Sequence, residues 1–260
     1  MDGYSRSIAP FLVTLGVLLA VGCSGGSSDP DSPNLCGAPQ AVPSSVAEPT
    51  DLESQLERVV LRTEDLPASL QRSSIIFSPN EDLAQSAPDA VAELARLDEL
   101  GRLLGVEVAF VPRDPGSELV VKGGIQNSVS LYRAAEGASQ SLQEGVAGAR
   151  QTDWVALYTD LKDVSVDELP REIGDESVWF RVSGLDQAGK VVVDDQVVFR
   201  VGRARAFLRI ISSFADAALA DQFASEVETC AEIVVGRARA DFAAEPAGLE
   251  WARHIGQVLQ

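Results

Sequence analysis

Histidine occurs once in the 260 residues, cysteine three times and lysine three times. A Cys/His zinc module has too few ligands here. Serine catalysis lacks its usual surroundings: there is no Gly-x-Ser-x-Gly elbow, and no serine stands three residues before Lys122, Lys162 or Lys190. Positive charge is scarce, with Lys+Arg at 21 against Asp+Glu at 39 and a net charge of −18. Such a surface repels phosphate backbones, which disfavours nucleic acid as a partner. A long hydrophobic run is also missing. The longest uncharged apolar stretch, Ile8 to Gly22, is 15 residues, about 22 Å as a helix and short of the ~30 Å hydrocarbon core. With 45% hydrophobic and 23% charged residues, most of the chain has a folding composition.

The short apolar run reads as the core of a signal peptide over residues 1–22. It follows a polar start in which Arg6 is the only base, offset by Asp2, and it ends on Ala20-Val21-Gly22-Cys23. This ending resembles the lipobox of bacterial lipoproteins. The resemblance implies that Cys23 is thioether-linked to diacylglycerol and becomes the first residue of the mature chain. Acyl chains contribute roughly 0.8 kcal/mol per buried CH₂, so several on one residue hold a protein firmly to a bilayer. The expected location is the extracytoplasmic face of a cell membrane, lipid-anchored.

Residues 23–50 are rich in Ser, Gly and Pro and contain no Lys or Arg. They cannot bury a core and read as a flexible tether. From residue 51 to 245 helical and strand patterns alternate. Leu52, Leu56, Val59 and Val60 mark a short helix stopped by Glu64-Asp65-Leu66-Pro67. Ser73–Ser78 reads as a strand. Ser86-Ala87-Pro88 reads as the start of a helix carrying Val91, Leu94, Leu97, Leu100 and Leu104, ended by Gly105. Strands follow at 106–111 and 119–132. In the second, Ile125, Asn127, Val129 and Leu131 face one way, Gln126, Ser128, Ser130 and Tyr132 the other, and Gly123-Gly124 suggests a bulge. Residues 134–162 read as helix, 177–183, 190–200 and 204–212 as a meander of strands, and 216–240 as a long helix with Phe223, Val227, Cys230 and Val234 on its seam. Residues 246–260 read as a short amphipathic helix.

Strands in adjacent groups argue for an α+β fold, a single domain with an antiparallel sheet and helices packed on it. With Asp65-Leu66-Pro67, the Ser130–Arg133 run and Gly174-Asp175-Glu176, the body is loosely similar to the PsbP-like domains of bacterial lipoproteins, a resemblance that transfers no function. Val-Gly-Arg-Ala-Arg-Ala occurs at 201–206 and 235–240, once opening a strand and once ending a helix; it is read as chance.

If Cys23 is acylated, Cys36 and Cys230 remain, and two cysteines allow one pairing in an oxidising space. The bond would shorten the free tether to residues 24–35. The alternative is a buried Cys230 and a free Cys36. On the strand from Ala204, Arg205 and Arg209 share a face. They could form an anion pocket, or pair with Asp194, Asp195 or other acids on neighbouring strands. Residues 160–176 hold seven acids that read as a solvated loop, with a calcium site as the other possibility; the spacing does not match an EF-hand. Gly184 to Lys190 superficially matches a P-loop start, but Val191 stands where Ser or Thr is needed and a hairpin turn fits better. His254 reads as a surface or half-buried residue beside Trp251.

No catalytic set, metal site or cofactor follows from these residues. The expectation is a non-enzymatic binding or interaction module whose ligand is an unknown protein or small molecule. The alternatives are a carboxylate-based hydrolase of cell-envelope glycans, which three Trp and three Tyr equip poorly for stacking sugars, and a solute-binding component.

Overall fold

A computed structural model describes residues 35–36, 52–114 and 121–242. The signal peptide at 1–22, Cys23, the rest of the 23–50 tether, the helix at 246–260 and His254 lie outside the described residues. In chain order the elements are α1 (Leu52–Val59), a 3₁₀ turn (Thr63–Asp65), β1 (Leu70–Ser78), α2 (Asn80–Gln85), α3 (Ala90–Glu99), β2 (Arg102–Pro112), β3 (Val121–Tyr132), α4 (Ala135–Arg150), α5 (Trp154–Leu157), β4 (Lys162–Leu169), β5 (Glu176–Leu185), β6 (Val191–Val201), β7 (Ala204–Phe214) and α6 (Ala217–Phe242). The fold is α+β.

The seven strands form one sheet in the order β1-β2-β3-β7-β6-β5-β4, antiparallel throughout. Two meanders, β1–β3 and β4–β7, are joined side by side where β3 pairs with β7. Between them α4 and α5 carry the chain to the far edge.

The period-two pattern decides the layers. On β7, Ala204, Ala206, Leu208, Ile210 and Phe214 enter the main core, together with Ile125, Val129 and Leu131 of β3 and Val193, Val197 and Phe199 of β6. The apolar seam of α6 covers this face with Val227, Cys230 and Val234, and α1 adds Leu56 and Val59. Each large apolar side chain buried here contributes about 1.5–3 kcal/mol. On the opposite face α4 brings Leu142 and Val146 onto Phe180 and Val198, a much smaller cluster. Asn127 does fall on the main-core face, as its place in the alternation predicts. It is fully buried between apolar neighbours, and its Oδ1 accepts the Leu61 N–H while its Nδ2 donates to the Phe207 carbonyl. The Gly123-Gly124 bulge is present: the register shifts between Val121 and Gly124, and Gly124 has φ +92°.

Three readings are corrected. The helix expected from Ser86 begins only at Ala90, and a separate short helix, α2, precedes it. α2 ends before Ser86, and Asp89 caps α3 by accepting the Ala92 N–H. It is Gly101, at φ +70°, that turns the chain out of α3, so Leu104 belongs to β2. The helix expected over 134–162 stops at Arg150, where Asp153 caps the short α5. Finally, 162–169 within the expected acidic loop is the edge strand β4. None of its residues is buried, so its acids do not signal a loop.

Helix packing turns on one glycine and ignores another. A Cβ on Gly137 of α4 would lie 1.9 Å from the Leu100 carbonyl oxygen, whereas one on Gly236 of α6 would meet nothing within 4 Å. Gly137→Ala is therefore expected to cost about 2–3 kcal/mol by overpacking. Gly236→Ala is expected to gain about 0.5–1 kcal/mol from helix propensity alone. Urea unfolding of the two variants checks the opposite signs.

Candidate functional site

The first tie is covalent. Cys36 and Cys230 are bonded, with Cα atoms 5.2 Å apart across a sequence separation of 194. Leu35 is buried beside the bond, and its N–H donates to Glu226 Oε2 at 2.7 Å. Residues 35–36 are thereby fixed to the middle of α6.

The second feature is a pair of adjacent aspartates in the otherwise apolar run of β6. Successive residues of a strand point to opposite faces, so Asp194 and Asp195 part company. Asp195, fully buried, enters the main core. Arg181 of β5 lies directly across and donates to both of its oxygens, at 2.8 and 3.0 Å. Trp179 Nε1–H adds a third bond at 2.7 Å. Burial pushes the Asp195 carboxyl above its ordinary range, against the pull of Arg181 and Trp179. Arg181 also reaches Asp221 at the start of α6, at 3.4 Å.

Asp194, 1% exposed, faces the α4 and α5 side. Arg209 of β7 grips it, Nη2 to Oδ2 at 2.6 Å and Nε to both oxygens at 3.0 Å. Gln196 donates to the same carboxylate at 3.2 Å, and so does the Tyr158 hydroxyl, which follows α5 directly. Burial and the neighbouring Asp194 push the Tyr158 hydroxyl well above its usual range, so it stays protonated as a donor. Burial opposes the charge of Arg209, but the hydrogen bonds and charge of Asp194 outweigh it and hold the guanidinium protonated. Four donor atoms, from Arg209, Gln196 and Tyr158, thus converge on Asp194.

This geometry corrects the expected anion pocket at Arg205 and Arg209. Arg209 is committed to Asp194. Arg205 sits four residues away on β7, roughly 13 Å along an extended strand. It lies beneath α4, where a Cβ on Gly145 would come within 2.9 Å of its guanidinium. The two guanidinium groups do not converge, and the pairing of arginines with acids on neighbouring strands describes Arg209 correctly.

The other candidates resolve into structural roles. Gly184 to Lys190 spans the β5–β6 hairpin, in which Asp186 accepts the Ala188 and Lys190 N–H groups. Asp175 accepts from the Gly202 N–H and from Arg200, and Glu176 pairs with Arg200 at 2.9 Å, so the Gly174–Glu176 motif ties down the β6–β7 turn. Glu168 is engaged by Arg150. Among the described residues no three His, Cys, Asp or Glu side chains are grouped to hold a metal ion. Asp65 of the Glu64–Pro67 stop is held by Arg237 of α6 through two 2.7 Å bonds.

Sequence reasoning missed Arg102. It is 4% exposed and lies over Gly105, where it donates to the Ser78 carbonyl and hydroxyl, Asn80 Oδ1 and the Ser130 hydroxyl. Burial pulls its pKa down. Tyr158 was missed too, because its segment read as helix interior. Two shallow depressions open to solvent. One, of about 560 Å³, lies between Arg58, Arg62, Arg72, Glu57 and Glu64; the other, of about 500 Å³, lies beside Arg200 and Glu176. Their arginines are paired: Arg58 with Asp241, Arg62 with Glu64 and Arg72 with Glu57 in the first, Arg200 with Glu176 in the second.

An exposed apolar patch lies at the far edge of the sheet. Trp154 of α5 rests against Phe180 with ring centroids 6.4 Å apart, and Tyr158 pins the same turn to β6. The turn therefore presents Val155 and Leu157 outward, 63% and 43% exposed, and β4, on which α5 packs, presents Val166 at 38%.

No family model and no curated protein matches the chain. Among solved structures it is similar to the extracellular domain of PknH from Mycobacterium tuberculosis, at 9% identity and a TM-score of 0.42. The likeness covers 70% of this chain and 96% of that one.

Closing a loop of this length by the disulfide contributes about 5 kcal/mol in the chain-entropy model, an upper figure. Cys36→Ser is expected to lower the unfolding midpoint by several degrees, and a reducing agent is expected to do the same to the parent chain but not to the variant. Tyr158 makes a prediction at alkaline pH. Its hydroxyl keeps its proton in the folded state but ionises near pH 10 when unfolded, so it costs stability as pH rises above that value. Tyr158→Phe is expected to lose stability less steeply between pH 9 and 11, as read by urea titrations at both.

Proposed function

We propose that the protein is an extracytoplasmic lipoprotein, held to a membrane by acyl chains on Cys23, and that its folded body is a non-enzymatic binding or interaction module. The observation that carries the location is the Cys36–Cys230 bond. Disulfides persist in oxidising compartments and are rare in the cytosol. The sequence supports the same reading, since an apolar run and small residues lead directly into Cys23 and a Ser/Gly/Pro-rich stretch follows.

The two observations combine. With lipid on Cys23 and residues 35–36 held on α6, the length left between them is residues 24–34, at most about 40 Å at full extension. The α6 side of the body then stays close to the bilayer, and the α4 and α5 side is left to meet other molecules.

Binding rather than catalysis is supported by the buried acids. A hydrolase working with carboxylates alone needs two of them across one cleft. Asp194 and Asp195 sit on opposite faces of the sheet, each saturated by an arginine.

Cys23→Ala is expected to move the protein from the membrane fraction to the soluble extracytoplasmic fraction. Mass spectrometry of the parent chain is expected to find the acyl groups on Cys23. Retention of the variant on membranes after a carbonate wash would refute the anchor.

A further inference from the structure

Resting on the binding-module reading, we propose that β4 is a docking edge. It takes an extended segment of a partner protein as an eighth strand, one in which apolar and basic residues alternate. Among the described residues β4 pairs with β5 alone, so its other edge carries unpaired backbone donors and acceptors, a ready template for another strand. The pairing runs without interruption from Ser165 to Leu169; the irregularity, with Asp163 at φ +53°, is confined to the start of the strand. The opposite edge strand, β1, carries a bulge between Arg72 and Ser74 and is contacted by α2.

The faces of β4 specify the occupant. Val166 lies opposite Val182 on the face where α5 packs, and Val155, Leu157 and Val166 are three of the five large exposed apolar side chains among the described residues. Two elements in contact thus group three of these five side chains beside an open edge. The next residue, Asp167, faces the other way, and Asp160 and Asp163 add negative charge nearby. An added strand would therefore set apolar side chains beside Val166 and Leu157 and basic ones beside Asp167. A second copy of this chain does not fit. Antiparallel pairing of two β4 edges would bring Asp163 and Asp167 of one copy close to those of the other, between two bodies of net charge −18.

The test is fluorescence anisotropy on the full chain with a labelled octapeptide of alternating valine and lysine. Saturable binding is expected, with a valine–glutamate peptide at least tenfold weaker. Binding driven by charge alone is separated in two ways. Val166→Asp adds negative charge yet is expected to weaken the lysine peptide by about tenfold, because a charge replaces the apolar contact. The same peptide N-methylated at every amide keeps its charge but is expected not to bind. Asp167→Asn, which leaves the apolar face alone, is expected to narrow the preference for lysine over glutamate. Absence of binding, indifference to Val166→Asp or to N-methylation, or a dimer in sedimentation that Val166→Asp dissolves would overturn the proposal. So would a peptide that binds only after residues 243–260 are removed, which would make the chain's own tail the occupant. None of these readings depends on lipid at Cys23, so a failed anchor and a failed edge are told apart.

Discussion

Two neighbouring carboxylates on β6 set the register of half the sheet. Asp194 and Asp195 must point to opposite faces, and each needs a cation because a buried unpaired charge costs several kcal/mol. Arg209 on β7 supplies one and Arg181 on β5 the other. A slip of β6 by one residue against either neighbour would exchange the faces. Asp195 would leave Arg181 for the thin cluster under α4, and Val193 and Val197 would leave the main core. The apolar positions alone define which face is buried; the charge pairs make a slip on either side expensive. They do this without adding much net stability, since desolvation consumes most of what a buried pair gains.

The same pairs position what lies above and below the sheet. On one side Arg181 extends from Asp195 to Asp221, at the start of α6. On the other Tyr158 and Gln196 complete the shell of Asp194, and Tyr158 draws the α5 turn onto β6. Trp154 then rests on Phe180, and the chain leaves α5 aligned to enter the sheet as β4. The exposed side chains of α5 are held outward by an anchor that is itself buried.

Strands with one wet face were legible in the sequence, because period-two alternation is a local signal. β3 showed its bulge and both its faces, and β7 showed the face that Arg205, Phe207 and Arg209 share. The edge strand was not legible. β4 has no buried face to impose alternation, so its composition resembles a loop. α5 was lost for a related reason: four residues carry no helical period, and what holds them is the Tyr158 contact with a strand 36 residues away. The candidate site was half legible. Asp194 was among the acids expected to pair with the β7 arginines, and Arg209 does take it, but the pairing of Asp195 with Arg181 of β5 had no local signal. That Arg209 takes Asp194 while Arg205 lies under α4 depends on the β6–β7 register and on the position of Gly145, neither of which is written locally.

The molecule's two faces divide their work by thickness. The α6 face holds the main core and the disulfide, so the covalent tie near the amino terminus enters where local unfolding is most costly. A pull on residues 35–36 is passed to a 26-residue helix packed on β6 and β7. The α4 and α5 face rests on a few apolar contacts and on polar side chains that are hydrogen-bonded beneath them. It can present an edge strand and an apolar turn because the load is carried elsewhere. Cys230 lies in the middle of α6, whereas the edge lies beyond β5 at the end of the sheet. The fixed point and the open edge therefore sit on different elements of the fold.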